Sequence, residues 1–465
     1  MRSIKILLFN INKFRKIHPK AFSWIKYGIV FSIFFLVCLK TLDPDFGWHL
    51  SAGNYIRSNG IPSHDIFTYT AKNFSWIDHE WLNDIIVSII YKYGNYFALS
   101  VLFAVLWSSA LFVNNKTKNL AVLLVGTLAV LPFAGIRPVT WTILFLPLLM
   151  RMSVSKNKYL HMAIPLLFLL WANIHGGFII GLAYLGYLVV TERNIYWVRT
   201  LFLSVLLTFV NPYGPNLYQE IARTVFDSSL HHQIDEWRSF YVPLSVTLYL
   251  FFWMTGFWMF FNRKIKNYFS FDILIGLTAV SSTRNWPLFV IVSINRVNDS
   301  AERIYHSLPK KISPGGKKIL AVFALGILIL VGFIIKDGFF PIQSKFAIYP
   351  VDQVKYLDKN GCKGNLFNSY DYGGYIIWKL PNIPVFIDGR MPSWRDQDGV
   401  KYLETYTSII DNVSSQNKIF KKYNIQCVLD SRKNSNYKRL NDDLLKKGWK
   451  DVSDSNSAIL LIGPN

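Results

Sequence analysis

Cysteine is scarce in this 465-residue chain, which holds only Cys38, Cys362 and Cys427. Cys38 lies in an apolar stretch, so at most one disulfide, Cys362 to Cys427, is open to it. Three cysteines neither demand nor exclude an oxidising compartment. Charge is also thin: 17% of residues are charged, against about 25% in soluble domains. Acidic residues are the minority, 28 Asp and Glu against 50 Lys and Arg. GxGxxG and P-loop spacings are missing, so nucleotide binding has no support. HExxH is missing too, and no zinc site is assigned. Internal repeats and low-complexity segments are absent.

What the chain has in plenty is apolar length. It is 52% hydrophobic and 16% aromatic, with a mean hydropathy of +0.26. The apolar residues fall in blocks near the roughly 20 residues that cross a bilayer core. Candidate spans are Trp24–Thr41, Tyr96–Val113, Leu120–Ala134, Val139–Met150, Tyr159–Asn173, Gly177–Val190, Val198–Val210, Leu244–Phe261, Phe271–Ser281, Pro287–Ile294 and Leu320–Ile335. The reading is an α-helical polytopic membrane protein of about 11 transmembrane helices. Residues 1–23 form a basic N-terminus leading into an uncleaved signal anchor, because no small-residue cleavage signature follows.

The formal charge of +22 would suggest nucleic acid in a soluble protein. With the N-terminus in the cytoplasm, however, roughly 22 Lys and Arg fall inside against about 7 outside, as the positive-inside tendency demands. The charge is a topology signal, and no nucleic-acid partner is expected. This orientation places the long loop 42–95 outside, together with six histidines, His49, His64, His79, His175, His231 and His232. The transmembrane part is taken as 24–336. The tail, also outside, is read as a soluble α/β domain over 343–465. Strands are predicted at Gly364–Asn368, Tyr375–Trp378, Pro384–Asp388, Gln426–Asp430 and Ala458–Ile462. Helices are predicted at Tyr349–Lys359, Val400–Asp411, Ser415–Tyr423 and Lys438–Lys447.

Polar residues gather on the outer face. Asp43-Pro44-Asp45-Phe46-Gly47-Trp48-His49 follows the first span directly. Carboxylates at a membrane boundary point to function or to water, and Pro44 keeps Asp43 out of helical geometry. One Asp could take a proton from an acceptor hydroxyl while the other orients a metal ion or substrate. The bland alternative is an acidic loop at a helix end. Trp76-Ile77-Asp78-His79-Glu80-Trp81 is either an interfacial aromatic belt or a further wall of the same pocket, with Glu80 a third catalytic candidate. Arg137 and Arg284 stand in very short outside loops, where they suit a phosphate or a structural ion pair. His175 lies in Asn173-Ile174-His175-Gly176-Gly177, as a cavity residue or a helix cap. Glu236 belongs to a segment that is another wall or an interfacial helix. Asp388 and Arg390 follow a predicted strand, a favoured ligand position; they could equally pair with each other.

These segments, with Gly60-Ile61-Pro62, Asn211-Pro212-Tyr213-Gly214, Gly373-Gly374-Tyr375 and Phe386-Ile387-Asp388-Gly389-Arg390, resemble a family of bacterial polytopic membrane proteins assigned by similarity to the C-type glycosyltransferase superfamily (GT-C). The resemblance runs in order over most of the chain. It implies an acidic residue in the first extracytoplasmic loop, matched here by Asp43 and Asp45, and a donor sugar linked to polyprenyl phosphate. It also implies a multi-pass protein of the bacterial cytoplasmic membrane. The acceptor would be an envelope glycan, lipid or protein; a divalent metal is allowed but not assigned. The alternatives are a lipid-linked glycan polymerase or ligase, and a non-catalytic envelope assembly or transport protein. Transport is disfavoured because the ionisable residues cluster at one face, not near the midplane.

Overall fold

In the computed structural model, the residues described are 17, 19–113, 119–230, 234–237, 253–256, 258, 269–307, 349–432, 435–453 and 458–464. The candidate spans Leu244–Phe261 (in large part) and Leu320–Ile335 therefore lie outside the described residues, as do His231 and His232. The other nine candidate spans coincide with helix. Helix α1 is Pro19–Lys40, and α2, Phe46–Asn59, lies within the stretch expected to be a loop. Helix α3 runs over Trp81–Val113, broken at Asn95 with φ 54°. Asn tolerates the left-handed region better than most residues, so the chain turns there. The stretch 42–95 is thus not one open loop: it holds α2 and the first half of α3.

Then follow α4 Leu120–Val130, α5 Val139–Ser153, α6 Lys158–Met162, α7 Ile164–Ile174, α8 Phe178–Glu192 and α9 Ile195–Thr208. Asn119, Asn157 and Asn194 cap three of these by accepting from backbone N–H groups, which satisfies donors the helix leaves open. After α10, Asn216–Val225, come α11 Phe271–Ser281 and α12 Trp286–Ser307. Among the described residues two helices are long and apolar enough to cross a membrane, Ser23–Lys40 within α1 and Trp81–Val113. Six shorter apolar helices accompany them.

The C-terminal module, from Tyr349, holds α13 Val351–Asn360, β1 Asn365–Asn368, α14 Gly373–Lys379, α15 Tyr402–Asp411, α16 Val413–Tyr423, β2 Ile425–Ser431, α17 Lys438–Lys446, β3 Lys450–Asp451 and β4 Ala458–Ile462. The sheet order is β1-β2-β4-β3. β2 runs parallel to β1, while β4 is antiparallel to both β2 and β3. Three of the five predicted strands are present. Tyr375–Trp378 is instead helix, within α14. A short apolar run cannot be told from a buried helix by periodicity, and Tyr375, Ile376 and Ile377 are all buried. Pro384–Asp388 joins no sheet strand; Val385 makes a lone parallel bridge to Thr68.

Cys362 and Cys427 are bonded, 65 residues apart. Closing a loop of that size in the unfolded chain stabilises the module by about 4 kcal/mol. The Cys362→Ser, Cys427→Ser variant is expected to lose that much, read as an earlier urea midpoint for proteolysis within 349–464.

Two apolar cores meet across α2. Phe46 and Leu50, one turn apart, enter the core of the apolar helices. Trp48 and Ala52, on the opposite face, enter the core of the C-terminal module. A helix whose two faces are both apolar is buried between layers. The acidic segment at its start is therefore clamped between the helices and the module.

Candidate functional site

A cavity of about 610 Å³ opens where these layers meet. Every candidate named from the sequence lines it except Asp388, which lies behind its wall fully buried. Asp43, Asp45 and His49 come from the start of α2, and Asp78, His79 and Glu80 from the turn before α3. Arg137 precedes α5, His175 follows α7, Glu236 and Trp237 stand before α11, and Arg284 stands between α11 and α12.

Asp43 and Asp45 have separate environments, as Pro44 between them requires. Asp43 Oδ1 accepts from Asp45 N at 3.0 Å, and its Oδ2 binds Arg137 Nε at 2.8 Å. Arg137 also pairs with Glu236. Burial works against the Arg137 charge, but the two carboxylates more than offset it and hold the guanidinium protonated. Among the described residues Asp45 has no such ion pair. Burial first, and then the charge on Asp43, push its carboxyl up to about 7. The Asp45 carboxyl therefore changes charge near neutral pH, the range in which a general base would be most efficient.

A second cluster surrounds Glu80. His49 Nδ1 lies 2.6 Å from Asp84 Oδ1, and Asp84 Oδ1 also accepts from Asn83 Nδ2 at 3.1 Å. The His49 proton is therefore held on Nδ1, leaving Nε2 to face Glu80 Oε2 at 3.7 Å. His175 is in the other tautomer. Gly177 N donates to its Nδ1 at 2.9 Å, so its Nε2 carries the proton, 3.4 Å from Glu80 Oε1. His79 Nε2 stands 3.8 Å from the same oxygen. Burial, followed by Asp84, Asp78 and Asp45, raises the Glu80 carboxyl well above its usual range. Burial drives His49 and His79 down to about 4. At pH 7 His49 and His79 are therefore neutral imidazoles, and they face a carboxyl whose protonated form burial favours. Asp84 was not singled out from the sequence, where its one signal was an acid at the start of a long apolar helix. Among the described residues no group of three His, Cys, Asp or Glu is arranged to hold a metal ion, and no metal is assigned.

Arg284 differs from Arg137. Its guanidinium lies over the Trp237 ring, 4.5 Å from the centroid, and among the described residues no carboxylate stands within ion-pair distance. Arg390 is the reverse case. It bonds Asp388 through Nε at 2.8 Å and Nη2 at 2.7 Å, and Asp65 through Nη1 at 2.7 Å. Its guanidinium also lies 4.6 Å from the Trp76 ring centre and 4.9 Å from that of Phe67. Of the two readings of Asp388 and Arg390, the ion pair is the one seen. Asn173 is likewise structural, accepting from Trp81 Nε1 and donating to Leu169 O and Val210 O.

The chain is similar in fold to solved structures of an archaeal oligosaccharyltransferase. The archaeal oligosaccharyltransferase AglB from Archaeoglobus fulgidus, in complex with an inhibitory peptide and a dolichol-phosphate, matches with a TM-score of 0.58 and 12% identity, over 89% of this chain and 70% of that one. The Archaeoglobus fulgidus oligosaccharyltransferase tethered to an acceptor peptide gives 0.58 and 11%, over 89% and 70%. Its apo form gives 0.55 and 12%, over 87% and 69%. At such identities the likeness is one of fold. No protein-family model and no curated protein matches the chain.

Proposed function

We propose that this protein is a membrane glycosyltransferase that moves a sugar from a polyprenyl-phosphate-linked donor to an envelope acceptor on the extracytoplasmic side. The observation that carries the reading is the Arg284–Trp237 pair, a cation with no carboxylate partner among the described residues, in the same cavity as a carboxyl raised to about 7. Arg137, neutralised by Asp43 and Glu236, is the poorer phosphate site. In the proposed reaction the acceptor hydroxyl oxygen attacks the anomeric carbon. The carbon–oxygen bond to phosphate breaks, its electron pair leaves with the lipid phosphate, and the hydroxyl proton passes to Asp45. Attack opposite the leaving group inverts the anomeric centre. The dolichol-phosphate bound by AglB accords with a lipid-phosphate donor.

Three features support membrane crossing and orientation. Large apolar side chains stand exposed on the short helices, including Leu166, Phe202 and Leu277, as lipid contact permits. The positive-inside count puts the cavity outside. The disulfide fits an oxidising, extracytoplasmic compartment for the module.

Mass spectrometry of the purified protein is expected to find a copurifying polyprenyl-phosphate sugar. Arg284→Ala is expected to weaken binding of polyprenyl phosphate about 30-fold, the loss of a hydrogen-bonded charge contact of about 2 kcal/mol. Unchanged binding would remove the donor assignment.

A further inference from the structure

The segment Phe386-Ile387-Asp388-Gly389-Arg390 is not explained by ligand contact, since Asp388 does not line the cavity and Arg390 is bound to two carboxylates. Its middle residue is placed differently. A Cβ built on Gly389 would overlap the Asp45 carboxylate; the nearest three atoms are all of that side chain, with Cγ at 2.7 Å and Oδ2 at 3.1 Å. The backbone at 389 is not in the left-handed region, so glycine is not needed there for conformation. It is needed for the approach of Asp45. The same closeness recurs at Gly374, 15 residues earlier, against the neighbours of Asp45. A Cβ on Gly374 would overlap Pro44 O, and one on Gly47 would overlap Gly374 O. Tyr349 OH adds a bond to Leu42 O at 2.8 Å.

From this juxtaposition we infer that Gly389 is a positioning residue for Asp45, and that the charges flanking it exist to hold it there. Arg390 locks its own turn through Asp388 and fastens that turn to the first extracytoplasmic segment through Asp65. Gly389 then forms the surface on which the Asp45 carboxylate rests, and Gly374 forms the surface for Pro44 and Gly47. The C-terminal module is in this view part of the catalytic centre and not a separate cover. The inference gives a role to the module within the proposed reaction, but the contact it claims is testable without any transfer assay.

Gly389→Ala in the full-length protein is the test, measured beside Asp45→Ala and the double variant. A methyl forced into a filled space strains the packing around it, so Gly389→Ala is expected to lower Tm by about 3 °C. In the Asp45→Ala background the same change is expected to lower it not at all, because the obstructing carboxylate is gone. If Gly389→Ala alone yields no folded protein, recovery of folded protein in the double variant is the same result. The positional readout is labelling by a water-soluble carbodiimide and an amine, located by peptide mass spectrometry. Labelling of Asp45 is expected to rise several-fold in Gly389→Ala, with buried Asp388 and Asp430 and exposed Glu404 and Asp411 unchanged. Additive Tm effects, unaltered labelling of Asp45, or a general rise at all buried carboxyls would each overturn the inference. Neither measurement involves sugar transfer. A coupled Gly389–Asp45 pair with a catalytically silent Asp45 would instead fault the enzymatic reading.

Discussion

Asp45→Asn is expected to reduce sugar transfer by about 10²–10⁴-fold, the usual worth of a positioned general base, with donor binding and Tm near those of the parent protein. The amide keeps the shape of the carboxyl but cannot take the acceptor proton. The rate should also carry the titration of this group. Burial and Asp43 place it at about 7, so below that pH the side chain is protonated and idle, and activity rises as pH climbs through about 7. His49 and His79, at about 4, are neutral on both sides of that window and do not shape the limb. Asp43→Asn then serves as the internal control. It removes the second largest influence raising Asp45, so the limb is expected to move to lower pH while the plateau rate survives better than in Asp45→Asn. Initial-rate profiles of the two variants, taken on the donor that copurifies, check both statements. Equal losses, or a limb that stays put when Asp43 is neutralised, would show that Asp45 is not the proton acceptor.

The sequence carried more of the site than of the module around it. Charge asymmetry and apolar blocks depend only on composition along the chain, and they put Asp43, Asp45, Glu80, Arg137 and Arg284 on one side. The structure brings these same residues to one cavity. Which arginine is paired was not legible, because the answer lies in Glu236, about a hundred residues beyond Arg137 in the chain. Asp84 escaped notice because it sits within an apolar helix, and its partner His49 is 35 residues earlier. Elements with local signals, such as α16 with its Asn412 cap and the apolar β2, matched expectation. Tyr375–Trp378 and Pro384–Asp388 did not, for one shared reason. Both are shaped by the segment 42–95, α14 by packing on α2 and Val385 by its bridge to Thr68, contacts that span some 300 residues and leave no local pattern.

That long-range dependence makes Arg390 the most sensitive structural position. Arg390→Leu is expected to destabilise the protein by about 3–5 kcal/mol, the cost of leaving a buried charge without its partner. Two carboxylates would be stranded, Asp65 and Asp388, whose side chains are both 0% exposed. The loss should appear as reduced folded yield and a lowered Tm in detergent. A buried pair broken on one side is costly, whereas one replaced whole by apolar or neutral groups is often near neutral. Adding Asp65→Asn and Asp388→Asn to Arg390→Leu is therefore expected to restore much of the stability. It should not restore Asp45, because the turn that carries Gly389 would lose its ion-pair fastening at Asp65. A triple variant that is stable yet shows raised carbodiimide labelling of Asp45 separates the two duties of the cluster, holding the module in place and holding the base. If the single variant is as stable as the parent, the cluster bears no such load, and the module must be held by its other contacts, among them Trp48 and Ala52 and the Tyr349–Leu42 bond.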